Sequence, residues 1–155
     1  MDKPRNEEQV LQVVCPGCHR RIRVPAARLR EQPRCPACKA GVFRAEPLEL
    51  DSSSFDAFVQ HSDIPLLVDF WAPWCAPCRG FAPVIAAAAA ELTPSVIVAK
   101  LNTEDAPALA GRLGIRSIPT VAVFRRGAEL ARQSGAMPLP ALQRWLADAG
   151  VGRPA

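Results

Sequence analysis

Val68-Asp69-Phe70-Trp71-Ala72-Pro73-Trp74-Cys75-Ala76-Pro77-Cys78-Arg79 decides how the rest of the chain is read. An apolar run from Ile64 to Trp71, broken by the single carboxylate of Asp69, predicts a buried strand. Beyond the two cysteines, Phe81, Val84, Ile85, Ala88, Ala89 and Leu92 fall on one helical face. The C-x-x-C pair therefore sits where a strand hands over to a helix. There the unpaired N–H groups and the positive end of the helix dipole favour thiolate over thiol at the first cysteine. Cys75 is expected to be the exposed nucleophile, and Cys78, three residues on and on the same face, the resolving thiol. Asp69 is the only acid in the apolar run. Burial should raise its pKa and suit it to exchanging a proton with Cys78.

Two further C-x-x-C pairs lie near the start, Cys15-Pro16-Gly17-Cys18 and Cys35-Pro36-Ala37-Cys38, with 16 residues between them. That spacing falls in the range of a four-thiolate zinc site. Pro-Gly and Pro-Ala supply the tight turns that aim two knuckles at one tetrahedral ion. Zinc is favoured as a structural metal on Cys15, Cys18, Cys35 and Cys38, with iron in a rubredoxin-like site as the rival. Two additional redox pairs are disfavoured, because neither has a strand–helix frame. Four cysteines fill the site, so His19 is not expected to be a ligand. Ile22-Arg23-Val24 reads as a short strand, and residues 25–29 as a turn or short helix. So small a segment cannot build a core alone, and metal binding would supply most of its folding energy.

Composition sets the outer limits. The chain has 155 residues, 49% apolar and 22% charged, which suits a globular protein of one domain plus a small appendage. The longest uncharged helical run, residues 81–90, is too short to cross a bilayer. The first residues, Met1-Asp2-Lys3-Pro4-Arg5-Asn6-Glu7-Glu8, are charged and hold no apolar run. This reads as no signal peptide and a cytoplasmic protein without membrane contact, and residues 1–9 as a frayed start. Residues 1–46 carry ten Lys/Arg against five Asp/Glu, and residues 47–155 nine against ten. A divalent ion on four thiolates would take the front segment from +5 to +3. A basic head could touch acidic partners or nucleic acid, but a solvated zinc module with scattered arginines is the plainer reading. Nucleic acid is not expected as a partner.

The active-site stretch resembles the thioredoxin family. The likeness continues through Val98-Ala99-Lys100-Leu101-Asn102, Gly114-Ile115-Arg116-Ser117-Ile118-Pro119-Thr120, Phe124-Arg125-Arg126-Gly127 and Gly135-Ala136. With the N-terminal thiols, the whole resembles the bacterial thioredoxin 2 subtype, which has a zinc ribbon. The segments agree: a strand at 48–50, then a helix carrying Phe55, Phe58 and Val59 after caps at Asp51 and residues 52–54. A central strand follows at 65–71, a strand at 95–101, and a helix at 106–113 ended by Gly114. Strands at 120–124 and 128–134 flank the Arg126-Gly127 turn, and a last helix covers 138–149. The expected fold is α/β, a mixed sheet flanked by helices, with a zinc-ribbon domain at 1–46 and the thioredoxin domain at 47–155.

The resemblance implies a protein-disulfide reductase, re-reduced by an NADPH-dependent thioredoxin reductase and acting as a monomer on disulfide-containing proteins. It also places Lys100 near Asp69, and makes Ile118-Pro119 a cis-proline loop facing the sulfurs. The residues alone favour trans there, as for most X–Pro bonds. Trp74, Ile118, Pro119 and Gly135, with Pro73 and Ala136, would form the substrate surface, and Trp71 reads as core. The chain departs from the commonest motif at Ala76, Arg79 and Gly80, the last costing about 1 kcal/mol in a helix. Pro83 should kink that helix. A binding module with a dithiol that only senses redox state is the rival reading, and an oxidase or isomerase is disfavoured by the lack of an export signal. The short junction at 45–47 holds no Gly/Ser tract, so the two parts should lie close together.

Overall fold

The computed structural model describes residues 9–151. The frayed start expected at residues 1–9 lies, but for Gln9, outside them. The chain forms β1 (Val10–Val14), β2 (Arg21–Pro25), a 3-10 turn (Ala26–Arg28), β3 (Leu48–Leu50) and α1 (Phe55–His61). After these come β4 (Leu66–Trp71), α2 (Ala76–Leu92), β5 (Ile97–Asn102), α3 (Pro107–Leu113), β6 (Thr120–Arg125), β7 (Ala128–Ser134) and α4 (Leu139–Asp148).

Five strands make the main sheet in the order β3-β5-β4-β6-β7. β3, β5 and β4 run parallel, while β6 and β7 pair antiparallel. β4 lies in the middle because its side chains are apolar on both faces. Leu66, Val68 and Phe70 join Phe55, Phe58, Val59 and Leu109 in one core layer, under α1 and α3. Leu67 points the other way, toward Phe81, Ile85, Leu142 and Leu146 of α2 and α4. Side chains alternate along a strand, so Asp69 faces the α2 layer with Leu67.

The elements follow local chemistry. Asp51 Oδ1 accepts from the amides of Ser53 and Ser54 and opens α1. Gly114, at φ 68°, closes α3 in the left-handed conformation that a helix end requires. α2 continues through Pro83 from Ala76 to Leu92. β5 begins two residues later than expected, because Val96 still donates to Leu92 O and Pro94 has no N–H to give a ladder. The β6–β7 pair turns at Arg126-Gly127 as expected, with a bulge between Val123 and Phe124 that the sequence pattern does not signal.

The front segment is a two-stranded antiparallel ribbon. Its small core of Leu11, Val13, Cys15, Ile22, Val24, Cys35 and Val42 is completed by Ile64, which is fully buried. In return Val14 enters the α1 layer of the main core. Gln12 ties the two together: its N–H donates to Asp63 Oδ2 at 2.7 Å and its Nε2 to His61 O at 3.0 Å. Its carbonyl accepts from Asp63 N at 2.8 Å. The other oxygen of Asp63 accepts from Arg126 Nε at 2.8 Å, so one carboxylate links ribbon, β4 and the β6–β7 turn. Ribbon and sheet are thus packed together, as the short junction implied.

Candidate active site and metal centre

Cys75 is the N-cap of α2, and its sulfur accepts the Cys78 N–H at 3.2 Å. A sulfur in this position is held by the first turn's free amide and by the positive helix end, which is what lowers a thiol pKa. Cys75 and Cys78 are joined as a disulfide with Cα atoms 5.2 Å apart. The sequence expects an exposed Cys75. The structure corrects this: Cys75 is 5% exposed and Cys78 2%. Ala72, Trp71 and Ile118 pack over the pair, and the Cys75 sulfur lies 3.8 Å from Ile118 O. The loop before β6 folds across the turn, a long-range contact that the spacing of residues along the chain does not express.

The Ile118–Pro119 bond is cis, as is Thr93–Pro94, for which the sequence offers no sign. Thr120 Oγ1 donates to Ser117 O at 2.7 Å and shapes the loop. Gly135, at φ 97°, donates its N–H to Pro119 O at 2.8 Å, so Pro119 and Gly135 are brought together. Trp74, Pro73, Gly135 and Ala136 are exposed, Ile118 is half-buried and Pro119 is buried. Trp74 is 65% exposed, the largest apolar group on this rim.

Asp69 is fully buried, and neither carboxylate oxygen has a hydrogen-bond partner. Burial pushes its pKa up to about 7, and the nearby Lys100 charge holds it from going higher. Lys100 is its cross-strand neighbour in β5 and lies on the same face. Its Nζ sits 4.5 Å from the centroid of the Trp71 ring. Trp71 is therefore half-buried under a cation rather than plain core. Arg79, marked in the sequence as a departure that bears on redox poise and partner choice, donates its Nη1 to Pro73 O at 2.9 Å. Its spacing of four from Cys75 was the available signal, since it puts both on one helical face.

The other four cysteines converge. Their sulfurs all lie within 4.8 Å of one another, the one such ligand cluster among the described residues. Cys15 and Cys38 are 3.5 Å apart and Cys18 and Cys35 3.7 Å. A tetrahedral ion with metal–sulfur bonds of about 2.3 Å needs sulfurs about 3.8 Å apart, so the donor set fits a metal ion. The Cys38 and Ala37 amides hold the Cys35 thiol down at about 6, whereas burial pushes Cys15 up to about 11. Gly17 fits closely here: a Cβ would lie 3.1 Å from Ala40 Cβ and 3.2 Å from Cys38 Sγ, so a side chain would need its neighbours to give by a few tenths of an ångström. His19 stands apart, its ring edge-on to Phe58 at 5.8 Å, consistent with its not being a ligand.

No helix among the described residues is long and apolar enough to cross a membrane. The thioredoxin family model matches residues 46–148. The chain is 40% identical to thioredoxin C-3 of Corynebacterium nephridii over 134 residues, 86% of this chain and 92% of that one. It is 43% identical to the chloroplastic thioredoxin M-type of Chlamydomonas reinhardtii over 122 residues, 77% of this chain and 87% of the other. The thioredoxin of Haemophilus influenzae is 40% identical over 102 residues, 66% of this chain and 95% of its own. The first of these matches is longer than residues 47–155 and so reaches into the ribbon. With the fold, the paired cysteines at the start of α2 and these relatives in agreement, the chain belongs to the thioredoxin family and is a thiol–disulfide oxidoreductase.

Proposed function

We propose that the protein is a disulfide reductase for other proteins, recharged by a thioredoxin reductase that draws on NADPH. The observation that carries this is the dithiol at the N-cap of α2, its Cys75 sulfur 3.8 Å from Ile118 O of the cis-Pro119 loop. A buried, unpartnered Asp69 in the preceding strand supplies the acid. The Cys75 thiolate attacks one sulfur of a substrate disulfide. That bond breaks, and the leaving thiolate takes a proton. Cys78 then gives its proton to Asp69 and attacks the Cys75 sulfur of the mixed disulfide. The second substrate thiol leaves, and the Cys75–Cys78 disulfide closes with two electrons transferred. An acid with a pKa of about 7 is near the pH at which it must both take and return a proton. The Trp74, Ile118, Pro119 and Gly135 surface would receive the substrate segment as an extended strand.

Cys15, Cys18, Cys35 and Cys38 would hold a structural zinc with no open coordination position. Zinc there supplies folding energy and no chemistry at the dithiol. Residues 1–46 then act as a ribbon domain and 47–155 as the redox domain, in a cytoplasmic monomer. Insulin disulfide reduction with NADPH and a thioredoxin reductase tests the function, and metal analysis tests the ribbon. Turnover and about one zinc per chain are expected. No reduction above background, with the dithiol titrating normally, would leave the protein a redox-sensing module.

A further inference from the structure

Two arginines next to the dithiol, Arg79 in the first turn of α2 and Arg116 in the loop that carries Ile118, have no acidic partner among the described residues. Arg79 lies one turn into α2, its own N–H donating to Cys75 O at 3.1 Å. The guanidinium curls back to Pro73 O at 2.9 Å, which pins its charge beside the entrance to Cys75. Arg116 is exposed two residues before Ile118, whose carbonyl lies 3.8 Å from the Cys75 sulfur. The ion pairs among the described residues are Arg28–Glu31, Arg112–Asp56, Arg126–Asp63 and Arg132–Glu129, and neither rim arginine is among them. Arg132, which reaches Gly114 O in the same region, has its charge offset by Glu129. The acids at this end of the sheet are Asp51 after β3 and Glu104 and Asp105 after β5, whereas the Arg116 loop leads into β6. β5 and β6 flank β4 on opposite sides. Thr103 binds Trp71 O through both N and Oγ1, and Asp105 accepts from Asn102, so these acids are held on the β5 side.

We infer that the site selects disulfides whose flanking segment is acidic, with Arg79 and Arg116 as the specificity-determining residues. This rests on the reductase reading above, in which the segment lies along the cis-Pro119 loop and so passes the cationic side of the rim. Exposed charges act over about 10 Å at 0.1 M salt and about 30 Å at 0.01 M. They speed productive encounter more than they hold the complex, so the preference should fade with salt. Plainly solvated arginines would give no dependence on substrate charge.

The test uses the full chain, chemically reduced, and two cystine peptides that differ only in having Glu or Gln at the residues flanking one cysteine. Second-order reduction rates are measured near 10 mM and near 300 mM salt. The Glu peptide should react about three- to tenfold faster at low salt, and less than about twofold faster at high salt. The double variant Arg79→Gln, Arg116→Gln should lose the preference, read as the ratio of the two rates so that any general loss cancels. Arg79→Lys alone should keep it, as should Arg144→Gln on the exposed side of α4. Equal rates for both peptides at low salt overturn the inference and leave the reductase reading intact. A preference that survives in the double variant overturns the assignment to these arginines. Failure to reduce either peptide overturns both readings together.

Discussion

The chain uses C-x-x-C three times, and the two copies in the ribbon behave unlike the one in the sheet. At Cys15 and Cys35 the turn closes in the same way. The first cysteine's carbonyl accepts from the residue four on, His19 or Lys39, at 2.9 Å. That residue is left-handed, φ 61° at His19 and 67° at Lys39. The next residue then bonds back to the cysteine N–H, Arg20 O to Cys15 and Ala40 O to Cys35, each at 2.9 Å. The chain reverses, and two such knuckles present four sulfurs to one point. At Cys75 the carbonyl also accepts from the residue four on, Arg79, but that residue is helical and the chain runs on into α2. One pair of sulfurs is left at a helix start, able to bond only to each other or to a substrate. The frame after the second cysteine, more than the motif, decides between metal and redox chemistry. The ribbon is anchored at Asp63 and Ile64, before β4, while the dithiol follows the far end of β4, a six-residue strand of about 20 Å. The ribbon's anchor and the dithiol therefore lie at opposite ends of one strand.

The largest expected effect separates the thiols by role. Cys75→Ser should cut disulfide reduction by about a thousandfold or more, because a hydroxyl does not ionise as a thiol does. The same change at Cys18 should leave the dithiol reaction running. Cys78→Ser should instead accumulate substrates as mixed disulfides on Cys75, read by mass spectrometry. Adducts forming on Cys78 in the Cys75→Ser protein would reverse the roles.

Metal removal comes next. Structural zinc contributes on the order of 10 kcal/mol to a small site. Chelation should therefore strip hydrogen-exchange protection from Val10–Val14 and Arg21–Pro25 while α2 stays protected and reduction continues. The Tm of the whole chain should also fall, since Ile64 loses its cover. Equal loss of protection across β4 and α2 would show that residues 47–155 do not stand as a domain of their own.

Asp69→Asn should stabilise the fold while slowing reduction. Raising an aspartate from 3.8 to about 7 means that the folded state holds a proton which the unfolded state has released. The stability tied to the protonated form is full below about pH 4 and is lost as pH rises through about 7. Above that, the buried charge costs up to about 4 kcal/mol, which the Asn side chain would avoid. Urea unfolding at pH 5 and pH 8 should show the gain mainly at pH 8. A gain equal at both would mean that Asp69 does not ionise in this range.

Ile64→Ala has the smallest effect, about 2–4 kcal/mol for a fully buried side chain. It should be smaller after chelation, when the ribbon side of the cavity is already loose. An unchanged cost would show that metal site and sheet are energetically independent.

The residues themselves already determine much of this protein. The apolar run ending at Trp71, the C-x-x-C at its end and the apolar face from Phe81 to Leu92 specify a strand, a redox turn and a helix, because each rests on local periodicity and capping. The spacing of the four front cysteines specifies two knuckles whose sulfurs can share one metal ion, for the same reason. Only the tertiary structure decided that Cys75 is nearly covered, since Ile118 arrives from 43 residues away. It alone placed Lys100 over Trp71 and left both Asp69 oxygens without partners, which depends on which strands pair and which face each side chain takes. It also revealed β1 and the exchange of Val14 for Ile64 between ribbon and sheet. VLQVV has too short a pattern to announce a strand, and its partners lie far along the chain, where no local signal reaches.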